Sequence, residues 1–389
     1  MRSLHSRARR APSLCPRRGR HRARSQKRFD KLAADQQSFT AEPMRVARLY
    51  DVGDVRVEEM ERPVPGPREL LVRTLACGIC TGEIMPWYMR RKAPLVPGHE
   101  PVGVIEEVGG RLDGFRPGDR VFVHHHAPCL TCPACRRGEH VQCATWRASQ
   151  LVPGGLAEYF LVKPENQRDT LKLPDCVSDL DGVLVEPAAC VVKSLRRAAL
   201  KPGESILVIG LGIMGMMHLR LARHLGAGLI VGADLLEERA QKAQPMGADY
   251  GLAASGDALL EQMRTLTGGA GADVVIVGPG TIEALKLGID AAGRGATVVQ
   301  FTATAPGLEL SLRPHDLYFS EVRLVPSYSA GPQETRAALE LIEAGVLSAA
   351  SLITHRFPLE QVNEAFAMVA RPQALKVAVT FPAPARSSG

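Results

Sequence analysis

Four of the nine cysteines fall between residues 129 and 143: Cys129, Cys132, Cys135 and Cys143, spaced C-x2-C-x2-C-x7-C. Two-residue gaps let successive thiolates converge on one tetrahedral ion, with sulfur about 2.3 Å from zinc. Pro133, Gly138 and the basic pair Arg136 and Arg137 suit a tight lobe in which cations favour thiolates. The alternative is a set of free or disulfide-bonded cysteines. No secretory signal precedes them, which argues against disulfides. Four protein ligands make a closed site, so the expected ion is structural.

A second group of metal-ligating types is more dispersed. Cys77, Gly78, Ile79 and Cys80 end an apolar stretch, and Gly98, His99 and Glu100 precede another. Val185, Glu186 and Pro187 lie further on. Cysteine, imidazole and carboxylate together can hold Zn²⁺ and leave one position open. An open ion acts as a Lewis acid and lowers the pKa of a bound hydroxyl. Each piece has a plainer alternative: a single structural histidine, or Cys77 and Cys80 as a redox pair.

The third constellation is a glycine turn. Ser205–Ile209 reads as a strand and runs into Gly210, Leu211, Gly212, Ile213, Met214 and Gly215, followed by a helix. This is G-x-G-x-x-G in the strand–turn–helix setting that gives it meaning. Gly210 permits the tight turn, Gly212 the approach of a pyrophosphate, and Gly215 close helix–strand packing. The helix N-terminus faces the anion. The next strand ends in Asp234, where a carboxylate accepts from ribose hydroxyls and repels a 2′-phosphate. NAD is therefore expected rather than NADP. A helix N-cap is the other reading of Asp234. Arg239 lies nearby as a further coenzyme-side candidate, or as a solvated helix residue.

Two textures of chain must position these groups. From Met44 the pattern is short and β-like: Arg45–Tyr50, Val55–Glu59, Leu70–Ala76, Val102–Val108 and Arg120–Val123 read as strands. Asp179–Ala199 reads as one helix. After it, strands and helices alternate: Ser205–Ile209, Gly215–His224, Gly228–Ala233, Glu237–Pro245, Asp273–Val277, Ile282–Ala292 and Thr297–Phe301. That alternation predicts a parallel sheet with helices on both faces. A closing block has helices at Gln333–Ala344 and Leu359–Ala370 and a strand at Lys376–Phe381.

In this order the motifs resemble the zinc-dependent medium-chain alcohol dehydrogenase family, and most closely its sorbitol (polyol) dehydrogenase branch. The carriers are residues 77–80, 98–103, 118–121, the four-cysteine lobe, 154–159, 186–187 and the glycine turn with Asp234. The resemblance spans Met44 to about Phe381. It implies an α/β protein with a GroES-like β-rich catalytic domain (44–187 and 328–389) and a Rossmann, doubly wound coenzyme domain (188–327). It implies Cys80 and His99 as ligands of a catalytic zinc, with Glu100 and Glu186 as its carboxylates. It also implies one structural zinc, NAD, and a homo-oligomer, dimer or tetramer. The expected reaction is reversible oxidation of a secondary alcohol in a polyol, sugar or cyclitol. The hydroxyl is activated by metal charge, hydride passes to NAD, and Glu100 or Glu186 accepts the proton through water. A zinc-independent reductase, or a noncatalytic NAD-binding sensor, is the alternative.

Local departures from the family pattern stand out. Gly82 occupies the usual Ser/Thr position of the proton relay, with a hydroxyl at Thr81 instead. Glu83 replaces an Asp, and Met85 a His. Trp87, Tyr88, Arg90, Arg91 and Lys92 either shape a pocket for a polar substrate or form a solvated loop. Ser327 and Tyr328 either add hydroxyl contacts or pack at the domain junction. Cys190 is expected in the core.

Composition excludes several classes. Charged residues are 23% and apolar residues 45% of the 389, which does not fit a disordered or fibrous chain. The net charge of +7 is local: residues 1–43 hold 12 Lys/Arg and 3 Asp/Glu, against 36 and 38 in the remainder. A near-neutral body does not predict a nucleic-acid partner. The apolar run Ile206–Met217 is too short for a bilayer, which needs about 20 residues. Residues 1–43 read as a disordered basic extension, with a transit peptide or polyanion-binding arm as alternatives. A cytoplasmic location is expected, or an organelle if that segment targets it.

Overall fold

The computed structural model describes residues 43–382. The reading of the basic extension therefore lies, apart from Pro43, outside the described residues.

Six parallel strands form the sheet that follows the glycine turn. Their order is Tyr250–Ala253, Leu229–Asp234, Ser205–Ile209, Ala272–Val277, Ala292–Gln300, Arg323–Pro326. This is the doubly wound order, with the first strand of the motif at its centre. Its strands are apolar on both faces, as a sheet covered on both sides requires. Ile206, Val208, Ile230, Val274 and Ile276 pack on one side with Val185–Ala198 and Ile213–His224. Leu207, Ile209, Val231, Val275 and Val277 pack on the other with Leu259, Met263 and Leu285.

The second sheet is mostly antiparallel, ordered Ile353–Pro358, Lys376–Thr380, Leu70–Ile79, Glu100–Val108, Arg120–Val123, Thr170–Lys172, with Tyr159–Val162 also on Leu70–Ile79. The closing strand thus returns to the first sheet-forming region, and Lys376 comes to lie near residues almost three hundred positions earlier. Pro43–Asp51 and Asp54–Glu61 make a separate hairpin. Among the described residues no helix is long and apolar enough to cross a membrane.

Two elements differ from expectation in instructive ways. The helix expected over 179–199 is two helices, Asp179–Val183 and Val185–Ala198. Pro187 has no N–H to give the Val183 carbonyl, so the ladder breaks there. The break places Glu186 in the first turn of a new helix. The helix Gly256–Leu266 was not expected because it buries only Leu259 and Met263, one contact per turn.

Candidate metal centre and coenzyme site

The strand Leu70–Ile79 delivers Cys80 to the cap of a short 3-10 turn, Thr81–Ile84. The Gly82 N–H donates to Cys80 Sγ at 3.4 Å. The position where the family carries a relay hydroxyl therefore supplies a backbone donor to the sulfur. Thr81 is exposed on the turn. Cys77 is buried in the core and its thiol donates to the Gly78 carbonyl at 3.5 Å. Neither Cys77 nor Cys80 is in a disulfide.

Cys80, His99 and Glu100 converge, each offering one ligand atom within 4.8 Å of the others. His99 is oriented by a residue that motif reading undervalued. Glu83 is 4% exposed; its Oε1 lies 3.1 Å from His99 Nδ1 and accepts the Gly98 N–H at 2.8 Å. Its Oε2 accepts the Cys80 N–H at 3.1 Å. Burial alone would raise the Glu83 carboxyl, but His99 and these two donors hold it below its usual range. Burial likewise disfavours a charged His99, yet Glu83 and Cys80 raise its pKa well above the ordinary value. The net field at Cys80 and His99 therefore favours a cation. With Nδ1 committed to Glu83, Nε2 is the nitrogen left for a metal, the carboxylate–histidine arrangement common in zinc sites.

Glu83→Gln should consequently cost about 10- to 100-fold in zinc affinity at this centre. Competition with a metallochromic chelator reads this directly, and unchanged affinity would remove Glu83 from the account.

Glu100 is 1% exposed and pairs with the equally buried Lys376, whose Nζ also donates to the Ile79 carbonyl at 3.2 Å. Burial opposes the Lys376 charge, but Glu100 and Cys80 more than offset it and raise its pKa. Gly78 leaves room for this pair, since a Cβ there would sit 1.9 Å from Glu100 Oε2 and 2.8 Å from Lys376 Cε.

Glu186 lies on the adjoining side of the same centre: it brings one ligand atom to within 4.8 Å of those of His124 and His125, and its charge raises the Glu100 carboxyl. Cys190, half-buried, donates to Glu186 Oε1 at 3.5 Å. The rings of His99 and His125 are 5.0 Å apart, so the two clusters adjoin. Burial, with neighbouring imidazoles, pushes His125 well below the usual histidine range and His126 down to about 4. Three consecutive histidines just before Cys129 were the available sequence signal for this side of the centre.

The bulky segment after Cys80 is engaged locally. Arg90 pairs with Asp51 at 3.0 Å, Lys92 lies 3.6 Å over the Tyr88 ring, and Arg91 6.0 Å over Trp87. Tyr328 stacks edge-on to Trp146 at 5.7 Å, and its carbonyl accepts from Lys193. Ser327 is buried, with its hydroxyl unpartnered.

The four-cysteine lobe gathers as its spacing predicts, with all four sulfurs within 4.8 Å of one another. Cys129 and Cys135 sulfurs are 3.9 Å apart, and those of Cys132 and Cys135 3.5 Å. The edge of a tetrahedron with zinc–sulfur bonds of about 2.3 Å is about 3.8 Å. Donors from Thr131 and the Cys132 N–H lower the Cys129 thiol to about 5, whereas burial and the adjacent sulfurs push Cys135 up to about 12.

At the glycine turn, Gly210 has φ +89°, and a Cβ at Gly215 would lie 2.1 Å from the Gly210 carbonyl oxygen. Gly212 caps the helix Ile213–His224. Asp234 does not cap the next helix, whose N-cap is Leu236. Its Oδ2 accepts the Leu211 N–H at 2.7 Å and its Oδ1 the Leu236 N–H at 3.0 Å, so it closes onto the turn. Arg239 is not simply solvated. It lies 3.8 Å from Asp234 and donates to the Pro372 carbonyl at 3.1 Å.

A GroES-like sheet with a cysteine–histidine–carboxylate cluster, joined in one chain to a doubly wound sheet with a glycine turn, defines a zinc-dependent alcohol dehydrogenase. Comparison with known proteins agrees. Residues 66–175 match the alcohol dehydrogenase GroES-like domain, and residues 213–344 match the zinc-binding dehydrogenase domain. Sorbitol dehydrogenase of Homo sapiens is 31% identical over 346 residues, covering 85% of this chain and 93% of that protein. Alcohol dehydrogenase TADH from Thermus sp. ATN1 superposes with a TM-score of 0.78 at 27% identity, over 87% of this chain and all of that one. A zinc-binding dehydrogenase from Sinorhizobium meliloti 1021, bound to NADP, also gives 0.78 at 27% identity, over 87% of this chain and 99% of that one. The chain belongs to the zinc-binding medium-chain alcohol dehydrogenase family, and it is an oxidoreductase.

Proposed function

We propose that this protein oxidises a secondary alcohol of a polyol, sugar or cyclitol to a ketone, reversibly, with zinc and with NAD as hydride acceptor. The observation that carries this reading is the convergence of Cys80, His99 and Glu100, together with a glycine turn closed by Asp234. The likeness to human sorbitol dehydrogenase supports the polyol class.

Cys80, His99 and Glu100 would hold the catalytic ion, and Cys129, Cys132, Cys135 and Cys143 the structural one. When bound, the catalytic zinc supplies Lewis-acid charge that brings a hydroxyl pKa towards neutrality. Glu83 fixes the His99 ring, and Lys376 balances Glu100. The proton leaves through water to Glu100 or Glu186. The backbone of residues 210–215 receives the pyrophosphate, and Asp234 the ribose hydroxyls. In this reading the catalytic domain comprises 44–187 and 328–389, and the coenzyme domain 188–327. The protein is a cytoplasmic homo-oligomer, or is targeted to an organelle by residues 1–43. NADH formation on a panel of polyols tests the reading.

The NADP-bound relative makes coenzyme choice a sharp test. A carboxylate facing a 2′-phosphate costs several kcal/mol. NAD should therefore be preferred over NADP by about 100-fold or more in kcat/KM. Asp234→Ala should collapse that preference, with Arg239 left as the nearest charge. Equal use of both coenzymes by the unaltered protein would contradict the assignment.

A further inference from the structure

We propose that a cavity of about 570 Å³, lined by Arg68, Arg111 and Arg168, binds a small organic phosphate through its dianionic headgroup. Three strand ends converge on this cavity. Arg68 precedes Leu70–Ile79, Arg111 follows Glu100–Val108 and Pro164 follows Tyr159–Val162, and Leu70 pairs with both Val108 and Val162. No residue of the metal clusters or of the glycine turn lines it, so the site is distinct from the dehydrogenase centre.

The charge of the wall is uncompensated. Among the described residues no carboxylate pairs with any of the three arginines. The Arg68 and Arg111 side chains make no hydrogen bond there, and Arg168 Nη1 donates at 3.3 Å to an uncharged group, the Pro128 carbonyl. Arg48, Arg56, Arg120 and Arg223, by contrast, each reach a carboxylate. Asp113 is the one carboxylate in the wall, which leaves two positive charges over. A phosphate monoester carries about that much negative charge at pH 7. The guanidinium fork matches its oxygens with parallel N–H···O bonds.

The wall is also fixed before any ligand arrives. Arg68 has φ +65°, a left-handed conformation that a residue with a Cβ adopts at a cost. Its N–H donates to the Gly109 carbonyl at 2.6 Å, and its carbonyl accepts from Gln167 Nε2 at 2.6 Å. Gln167 and Arg168 stand on the 3-10 turn Asn166–Asp169, which is pinned from behind. Asn166 Nδ2 donates to the carbonyls of His124 and His125 at 3.2 and 2.9 Å, and Asp169 Oδ2 lies 2.6 Å from His124 Nδ1. A backbone held in place lowers the ordering cost of binding. The volume falls in the range of about 300–1,000 Å³ that suits a small organic molecule, more than a bare phosphate fills. Leu112 and Pro164 offer apolar surface to the body of such a ligand. A nucleic acid would need an extended basic face instead.

The test is calorimetric titration of the full chain with phenyl phosphate, under saturating NADH so that the glycine turn is occupied. One equivalent per chain is expected, with an affinity that falls as salt rises. Phenol should not bind, and inorganic phosphate should compete but bind more weakly. Arg68→Gln and, separately, Arg111→Gln should each weaken phenyl phosphate binding about tenfold or more, because each removes a charge-assisted bond. Neither side chain is bonded in the free protein, so neither change disturbs the fold. Asp113→Asn should tighten binding. Absence of binding would overturn the proposal, as would binding that both arginine substitutions leave unchanged, since the ligand would then sit elsewhere. No arm of the test reads turnover, so the dehydrogenase reading stands or falls separately.

Discussion

Replacing Cys80 with serine lowers turnover by about three orders of magnitude, while NADH still binds and the zinc content falls by one per chain. Serine supplies neither a soft donor nor a negative charge at neutral pH. The Lewis-acid contribution of an open ion is worth several kcal/mol at the transition state. About 4 kcal/mol is a thousandfold in rate. The glycine turn is built from other residues, Gly210 to Gly215 and Asp234, so coenzyme binding is spared. Single-turnover kinetics, NADH fluorescence and metal analysis on one preparation separate the three effects. A fully active Cys80→Ser protein would remove this cluster from catalysis.

The second large effect is structural. Cys135→Ser should eject the ion of the four-cysteine lobe and unfold the lobe around it. Besides cysteines, the apolar cluster here contains only Val141 and Trp146. Burying two such side chains is worth about 2–3 kcal/mol each. Structural zinc in small domains contributes about 10–16 kcal/mol, so the ion outweighs the packing. The thermal midpoint should drop by about 10 °C or more. Trp146 is 2% exposed, and its fluorescence should shift to the red in a Trp87→Phe background. The damage should reach the catalytic side, because the Trp146 ring lies 4.2 Å from that of His126. A variant with unchanged stability and emission would show that the lobe holds itself together without metal.

Local spacing made part of this molecule readable in advance. The four cysteines, the strand–turn–helix at 205–215 and the carboxylate at Asp234 depend on short stretches of chain, and the structure brings each set together. Cys80 and His99 were identifiable because each sits at the edge of a strand in a recognisable motif. The rest of the centre depends on residues far apart in sequence. Lys376 reaches Glu100 only because the last strand pairs with Leu70–Ile79. Asp169 supports His124 across 45 positions. Glu83 looked like an altered relay residue, yet its work lies in a fold-back to Gly98 and His99. Glu186 reaches the centre through a helix break before Pro187, which sets its carboxylate against His124 and His125 and within electrostatic reach of Glu100. The surface helix Gly256–Leu266 escaped notice for a simpler reason, since only Leu259 and Met263 of its eleven residues are buried.

The most direct test of the central claim is NADH production by the full-length, zinc-loaded protein. It should be run across polyols, sugars, cyclitols and simple secondary alcohols, with metal content recorded on the same sample. The account predicts NAD reduction with at least one polyol-type substrate, lost on chelation and restored by zinc. Zinc-replete protein that binds NADH and reduces NAD with no member of the panel would contradict it.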